Sequence, residues 1–314
     1  MKIFSGNDKE LSNQVIDYLN NKYNQNLKLG KLKIEHFSDG EILPLFEESV
    51  RDIDVYFIQS TTTSDSIMET LLTIDAAKRA GCKSFTLVAP YQGYSRQDKT
   101  DHLRSSIGSK MVADILEKVG MSKIITIDLH SSSIQGFYNV PVIHLNGNKI
   151  FIDYIKEHKI EDMTLLAPDQ GAVKRISDFT KSFPDANFAM INKKRIKPNE
   201  IHSMELVGDV KDRNVVIIDD MIDTGGTLKK AAELVMKNGA KSVRAIATHG
   251  VLSGNGIENI ENSQLSEVLI SDSIKSESDK LLPKKIKYIS CAKFIAKVIW
   301  NTHNKMGINE LNLV

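Results

Sequence analysis

Cysteine is scarce in this chain: it occurs only at Cys82 and Cys291. Neither belongs to a Cys-x-x-Cys pair or lies near a plausible ligand set, which argues against a disulfide framework and for a reducing compartment. Long apolar runs are also missing. No stretch approaches the ~18 consecutive apolar residues of a membrane span. The opening MKIFSGNDKELSNQ has no apolar core of a secretory signal. Nor is there an excess of either charge: 41 Lys and Arg stand against 40 Asp and Glu, a net charge of +1. That balance gives no general attraction to nucleic acid or to an anionic membrane, so any positive field is local. A cytoplasmic globular protein is expected, with no nucleic-acid partner and no membrane association.

The 314 residues, 41% of them hydrophobic, are enough for two domains with buried cores. Short β-branched runs alternate with helix-period segments. Strands are expected at Val55–Ile58, Phe85–Ala89, Ile124–Ile127, Thr164–Ala167, Val215–Ile218 and Val243–Ala247. Several are almost wholly apolar, as strands buried on both faces must be. Helices are expected between them, with apolar stripes Ile67/Leu71/Ile74/Ala77, Ile107/Met111/Ile115/Val119 and Leu228/Ala231/Val235. Gly81, Gly120 and Gly239 follow as stops. This alternation predicts an α/β fold with mainly parallel sheets. A weak internal repeat pairs Ala76–Pro90 with Leu234–Thr248, aligning Gly81 with Gly239 and Ser84 with Ser242. Two tandem α/β units with a boundary near residue 145 account for it.

The most specific segment is VVIIDDMIDTGGTLKKAA, Val215–Ala232. An apolar strand ends in two carboxylates, Asp219 and Asp220. Asp223-Thr224-Gly225-Gly226-Thr227 then leads into a helix. Ligands of open α/β sheets bind at the carboxyl ends of the strands. A glycine turn at a helix N-terminus presents backbone N–H groups and the positive end of the dipole, which suits a phosphate. Carboxylates beside a phosphate repel it unless they serve another group. Sugar hydroxyls or Mg²⁺ are the candidates.

This segment resembles the ribose 5-phosphate signature of the phosphoribosyltransferase fold, which phosphoribosyltransferases share with the ribose-phosphate pyrophosphokinases. Five further motifs point to the pyrophosphokinase branch. Phe37-Ser38-Asp39-Gly40-Glu41 is similar to that family's FSDGE. Pro90–Lys99 is similar to its PYxGYxRQDK, and Asp128-Leu129-His130 with Gln135-Gly136-Phe137 to its DLH and QGFF. Pro168-Asp169-Gln170-Gly171 is similar to PDxG, and Asn192–Asn199 to the basic flexible loop. Thr248–Gly254 and Glu261-Asn262-Ser263 add THxVLSG and ENS. The likeness runs from about Lys2 to His303. It departs at Gln170-Gly171-Ala172, where relatives usually have His-Gly-Gly, and at Asn192 and Ile196.

The resemblance implies two tandem phosphoribosyltransferase-like domains, each a mainly parallel sheet flanked by helices. Residues 1–145 would carry the ATP motifs, joined by the C-terminal helix 292–304, and residues 146–291 the ribose 5-phosphate loop. It implies transfer of the diphosphate of ATP to the C1 hydroxyl of ribose 5-phosphate, giving 5-phosphoribosyl 1-diphosphate and AMP, with Mg²⁺ as cofactor. The alternatives are a phosphoribosyltransferase that consumes that product, or an inactive regulatory relative. By resemblance, Phe37, Asp39, Glu41, Arg96 and Gln97 bind ATP, and His130 and Asp169 meet the metal. Asp219, Asp220, Asp223, Thr224, Gly225, Gly226, Thr227 and Arg195 bind ribose 5-phosphate. Lys193 and Arg195 are catalytic. A homohexamer tuned by phosphate and ADP is also implied, with Ser49 and Arg51 in its regulatory site. The tail, however, carries Glu310 where relatives place a phosphate-binding serine. A carboxylate there disfavours an anion, so altered phosphate activation is expected.

Overall fold

The computed structural model describes the chain except for Asp101 and residues 198–199, 276–281 and 310–314. The side chains of Asp178 and of residues 193–197 and 200–203 also lie outside the described set. The chain forms two compact units, Met1–Asn146 with Ser290–Val314, and Gly147–Ile289.

The first unit begins with β1 (Lys2–Ser5), α1 (Lys9–Tyr23), β2 (Leu32–His36), β3 (Ile42–Phe46) and β4 (Asp54–Ile58). It continues through α2 (Ser64–Arg79), β5 (Ser84–Ala89), α3 (Gly108–Val119), β6 (Lys123–Ile127) and β7 (Val142–Leu145). Five strands form a sheet in the order β1-β4-β5-β6-β7, with every neighbouring pair parallel. β4, β5 and β6 are buried at every position after the first, as their unbroken apolar runs require. α2 and α3 are followed by glycines at positive φ, Gly81 at +79 and Gly120 at +126, while α1 stops at Asn24 with φ 51. β2 and β3 form a separate antiparallel hairpin, registered from Leu32↔Phe46 to His36↔Ile42.

One expected helix face is corrected. The stripe Ile107/Met111/Ile115/Val119 is not the buried face of α3: Ile107 and Met111 are exposed, while Val112, Ala113 and Leu116 enter the core. An apolar row four residues apart is matched here by an adjacent row that includes the small residues Gly108 and Ser109. Small residues let the helix approach the sheet closely, and that row wins.

The second unit holds α4 (Asn148–Glu157), β8 (Met163–Ala167), α5 (Val173–Ser182), β9 (Asn187–Lys197), β10 (Glu200–Val207) and β11 (Asn214–Ile222). After these come α6 (Gly226–Lys237), β12 (Ser242–Gly250), α7 (Gly256–Glu261), β13 (Glu267–Ser271) and β14 (Ile286–Ile289). The sheet order is β10-β9-β8-β11-β12-β13-β14, and only β10 runs antiparallel to its neighbour. Alternate residues of β11 serve opposite layers. Val215 and Ile217 pack with Leu228, Ala231 and Val235 of α6. Val216 and Ile218 pack with Phe151 and Ile155 of α4 and Ile176 and Phe179 of α5. β11 also runs four residues past the expected Val215–Ile218, so Asp219 and Asp220 stand inside the strand rather than in the following loop.

The last helix, α8 (Ala292–His303), packs on α1 within the first unit. Ile295, Ala296, Val298 and Ile299 are buried, and Trp300 stacks on Tyr23 with ring centroids 4.3 Å apart. Trp300 is the chain's one tryptophan, so it reports on this contact alone. Truncating Ile295 to Ala is expected to destabilise the first unit by about 2–5 kcal/mol, the usual cost of an aliphatic cavity. Urea unfolding followed by Trp300 fluorescence measures it. A midpoint unchanged from the parent would mean that α8 contributes no packing energy there.

Candidate active site

The two units repeat a strand–loop–helix step, and they differ at the helix N-terminus. In the first unit β4 leads into α2. Thr63 caps α2: its side-chain oxygen accepts from the Ser66 backbone N–H at 3.1 Å, and the Ser66 hydroxyl oxygen accepts from the Thr63 N–H at 2.9 Å. Two amide groups at that helix start, those of Thr63 and Ser66, are therefore already engaged. In the second unit β11 leads into α6, whose N-cap is Gly225. No side chain caps it. The first-turn N–H groups of α6 are left for a ligand, and the positive end of the dipole lies with them.

The turn that exposes these amides is braced from behind. Gly225 has φ +69, and a Cβ there would come within 2.9 Å of the Gly256 carbonyl oxygen. A Cβ on Gly256 would in turn approach the Asp223 carbonyl oxygen to 2.6 Å. Asn259 donates to the Thr224 carbonyl at 2.9 Å, Leu252 N–H donates to Ile222 O at 3.0 Å, and the Ser253 hydroxyl bonds the Asp223 carboxylate. Thus the Thr248–Gly254 and Glu261–Ser263 motifs flank the segment that holds the phosphate-type turn in place. Ser253 belongs to the Thr248–Gly254 motif, whereas Asn259 lies between the two motifs and has no sequence signal of its own.

A cleft of about 200 Å³ opens above this turn, lined among others by Asp169, Asp219, Asp223, Thr224, Gly225 and Thr227. These lie at the carboxyl ends of β8 and β11, which are hydrogen-bonded neighbours. The structure treats the two central aspartates differently. Asp219 faces the cleft. Asp220 is buried, and its carboxylate lies 3.7 Å from the Arg175 guanidinium of α5. Strand alternation is the cause: adjacent residues point to opposite faces. Arg175 gave no local signal, because it joins the site only through the packing of α5 on β11. Burial pushes the Asp219 carboxyl well above its ordinary range; the neighbouring charges of Asp220 and then Asp169 push it further the same way.

Concentrated carboxylates of this kind suit hydroxyl donors or a hard cation. Among the described residues no three His, Cys, Asp or Glu side chains converge to hold a metal ion unaided. Mg²⁺ is commonly held by one or two carboxylates and completed by substrate phosphates. The donor set fits a cation that arrives with its nucleotide.

The ATP-type motifs lie in the first unit. Phe37, Asp39, Gly40 and Glu41 form the tip of the β2–β3 hairpin, closed by Phe37 N–H to Glu41 O at 2.9 Å, and Phe37 is 48% exposed. Arg96 and Gln97 are exposed on the loop after β5. Buried Tyr91, Gln92 and Ser95 anchor that loop, and Gly93 N–H donates to Thr61 Oγ at 2.9 Å. His130 is exposed just past the end of β6. Lys193 and Arg195 belong to β9, where they pair with Met204 and Ile201 of β10; their side chains lie outside the described residues. Ser49 and Arg51 share a turn in which the Arg51 N–H reaches Ser49 Oγ at 3.4 Å, and Glu310 lies outside the described residues.

A mainly parallel sheet flanked by helices, with a carboxylate-lined cleft at its carboxyl edge, is the architecture of the phosphoribosyltransferase fold. Comparisons with known proteins narrow this. Residues 1–120 match the N-terminal domain of ribose phosphate pyrophosphokinase, and residues 171–312 match the phosphoribosyl synthetase-associated domain. A ribose-phosphate pyrophosphokinase of Porphyromonas gingivalis is 42% identical, over 98% of this chain and 96% of its own. Ribose-phosphate pyrophosphokinase A of Dictyostelium discoideum is 41% identical, over 99% and 97%. The crystal structure of phosphoribosylpyrophosphate synthetase from Mycobacterium smegmatis superposes with a TM-score of 0.87 at 34% identity, covering 97% of this chain and 99% of that one. The chain belongs to the ribose-phosphate pyrophosphokinase family.

Two outcomes are expected of the cleft. Gly225→Ala forces a side chain against the Gly256 carbonyl at positive φ, and should weaken ribose 5-phosphate binding at least about tenfold by calorimetric titration. Asp219→Asn should stabilise the ligand-free protein in chelator, raising Tm at pH 7–8 by about 2–4 °C. The sign follows from the raised folded pKa. Ionised Asp219 costs folding energy above its ordinary value of 3.8, and the benefit of Asn vanishes below it, where both states are protonated. A Tm gain that persisted unchanged below that pH would contradict this.

Proposed function

We infer that the chain is a ribose-phosphate diphosphokinase, which moves the β,γ-diphosphate of ATP to the C1 hydroxyl of ribose 5-phosphate and releases AMP. The carrying observation is the uncapped α6 N-terminus and Asp219 lining one cleft: an anion cradle and a hydroxyl acceptor in the same small pocket. Family membership supports the diphosphate chemistry.

In this reading the 5-phosphate sits on the Asp223–Thr227 turn, bonded by backbone N–H groups and the Thr224 and Thr227 hydroxyls. Asp219 accepts from the ribose hydroxyls and sets the orientation of C1. Asp220 acts from the far face, neutralised by Arg175. The second unit is thus the sugar domain. The first unit is the nucleotide domain: Phe37 stacks on the adenine, Asp39 and Glu41 accept hydrogen bonds from ATP, and Arg96 and Gln97 take its phosphates.

The C1 oxygen forms a bond to the β-phosphorus, the bond from that phosphorus to the bridging oxygen of AMP breaks, and the hydroxyl proton is lost. Such transfer depends on positioning and on neutralising charge. Lys193 and Arg195 take the charge that builds toward AMP, a role that rests on the family resemblance. His130 and Asp169 would hold Mg²⁺, which draws charge from the phosphate oxygens when bound. No helix among the described residues is long and apolar enough to cross a membrane. A cytoplasmic homohexamer, with phosphate activation altered by Glu310, completes the proposal.

Incubation with ATP, ribose 5-phosphate and Mg²⁺, followed by phosphorus NMR, should give AMP and 5-phosphoribosyl 1-diphosphate in equal amounts. Release of ADP instead would refute diphosphoryl transfer. Lys193→Ala should lower kcat by about 10²–10³ with an unchanged melting curve.

A further inference from the structure

The turn that carries His130 is built in an uncommon way. β6 ends at Ile127, and Asp128 N–H still pairs with Leu145 O of β7 at 3.0 Å. Asp128 itself has φ +38, a left-handed conformation that few residues other than glycine adopt. The twist rotates the next peptide out of the sheet ladder. Leu129 N–H points instead at a side chain, the His144 ring of β7, and donates to its Nε2 at 2.9 Å. Gln135 backs the ring from the other side, its amide 3.2 Å from Nδ1. The Leu129 side chain is buried in the core of the first unit, and His130 emerges directly after it into solvent. The turn is therefore held at three successive points: the Asp128 amide, the Leu129 amide and the Leu129 side chain. The middle one depends on the side chain of a residue distant in sequence, His144.

A strained backbone persists where its surroundings hold it. A ring nitrogen that accepts a hydrogen bond carries no proton, so Nε2 is the acceptor of the Leu129 contact. Asp128, His130 and Gln135 belong to motifs noted in the sequence. His144 belongs to none, and the fold alone brings it to the turn.

We propose that His144 is a positioning residue that holds the Asp128–His130 turn in the conformation that presents His130 to the magnesium nucleotide. The proposal rests on the reading of His130 as a metal–nucleotide contact. His144 itself touches neither substrate nor metal; it acts through the Leu129 amide.

The test compares His144→Phe, which removes the acceptor but keeps a ring, with His144→Gln, whose Oε1 falls near the position of Nε2. The first readout is hydrogen exchange at the Leu129 amide in the substrate-free protein. Exchange should speed up in His144→Phe and return toward the parent rate in His144→Gln. The second is kinetic. kcat/KM for magnesium ATP should fall about 10- to 100-fold in His144→Phe, the scale of a misplaced contact, while KM for ribose 5-phosphate stays within about twofold. His144→Gln should recover most of the loss. Parent-like exchange and ATP kinetics in His144→Phe would overturn the proposal, as would a parallel loss for both substrates together with a large fall in Tm, which marks a merely structural residue. His130→Ala separates the underlying reading. If His130→Ala leaves ATP kinetics intact, His130 is not a nucleotide contact and the proposal falls with that reading. If His130→Ala is impaired and His144→Phe is not, the positioning role alone falls.

Discussion

The site depends on backbone amides at the start of α6 that no side chain caps among the described residues. A helix leaves its first N–H groups without intrahelical partners, and most helices engage them with a Ser, Thr, Asp or Asn side chain. α2 does so through Thr63 and Ser66. α6 begins at Gly225-Gly226, and neither residue has a side chain with which to do it. The rest of the second unit serves that vacancy. β11 delivers the turn to the sheet edge, and the Leu252–Asn259 segment buttresses it from behind through Gly256, Ser253 and Asn259. The same strand–loop–helix step thus ends in a side-chain-capped helix in one unit and in a helix without a side-chain cap in the other.

The carboxylates impose the opposite kind of constraint. Asp219 and Asp220 are adjacent and largely enclosed, an arrangement that a protein without ligands would do better to avoid. The fold sets Arg175 beside Asp220, but the two carboxylates stay close enough for Asp220 to push the Asp219 carboxyl up by its charge and by a side-chain hydrogen bond. Asp219 keeps its cost, visible in its raised pKa, and faces the cleft with Asp169. Ligand hydroxyls or a cation offset that cost on binding. Stability forgone in the empty protein is thereby converted into a preorganised site.

The first unit shows how much a nucleotide-type loop relies on what lies beneath it. Arg96 and Gln97 are exposed, yet the loop that bears them is anchored by buried Tyr91, Gln92 and Ser95, and Gly93 packs so closely that a Cβ would fall 2.0 Å from the Thr61 carbonyl oxygen. His130 is similar: an exposed side chain on a turn whose backbone is held by Leu145 O and the His144 ring. In both places the exposed group belongs to a family motif and the buried groups decide where it points.

Local patterns in the sequence were sufficient for the α/β class, for the strand cores, for the glycine stops at Gly81 and Gly239 and for the turn at Asp223–Thr227. Each of these is set by a few consecutive residues: an apolar run, a helical period, a residue that tolerates positive φ. Tertiary structure decided the rest. It chose Val112, Ala113 and Leu116 over Ile107 and Met111 as the buried face of α3, because the sheet selects the row that packs closest. It carried β11 through both aspartates and so assigned Asp219 to the cleft and Asp220 to Arg175. It joined His144 to Leu129, fifteen residues away. None of these pairings has a local signature, because each arises where two elements distant in sequence pack together, and packing is a property of the assembled fold.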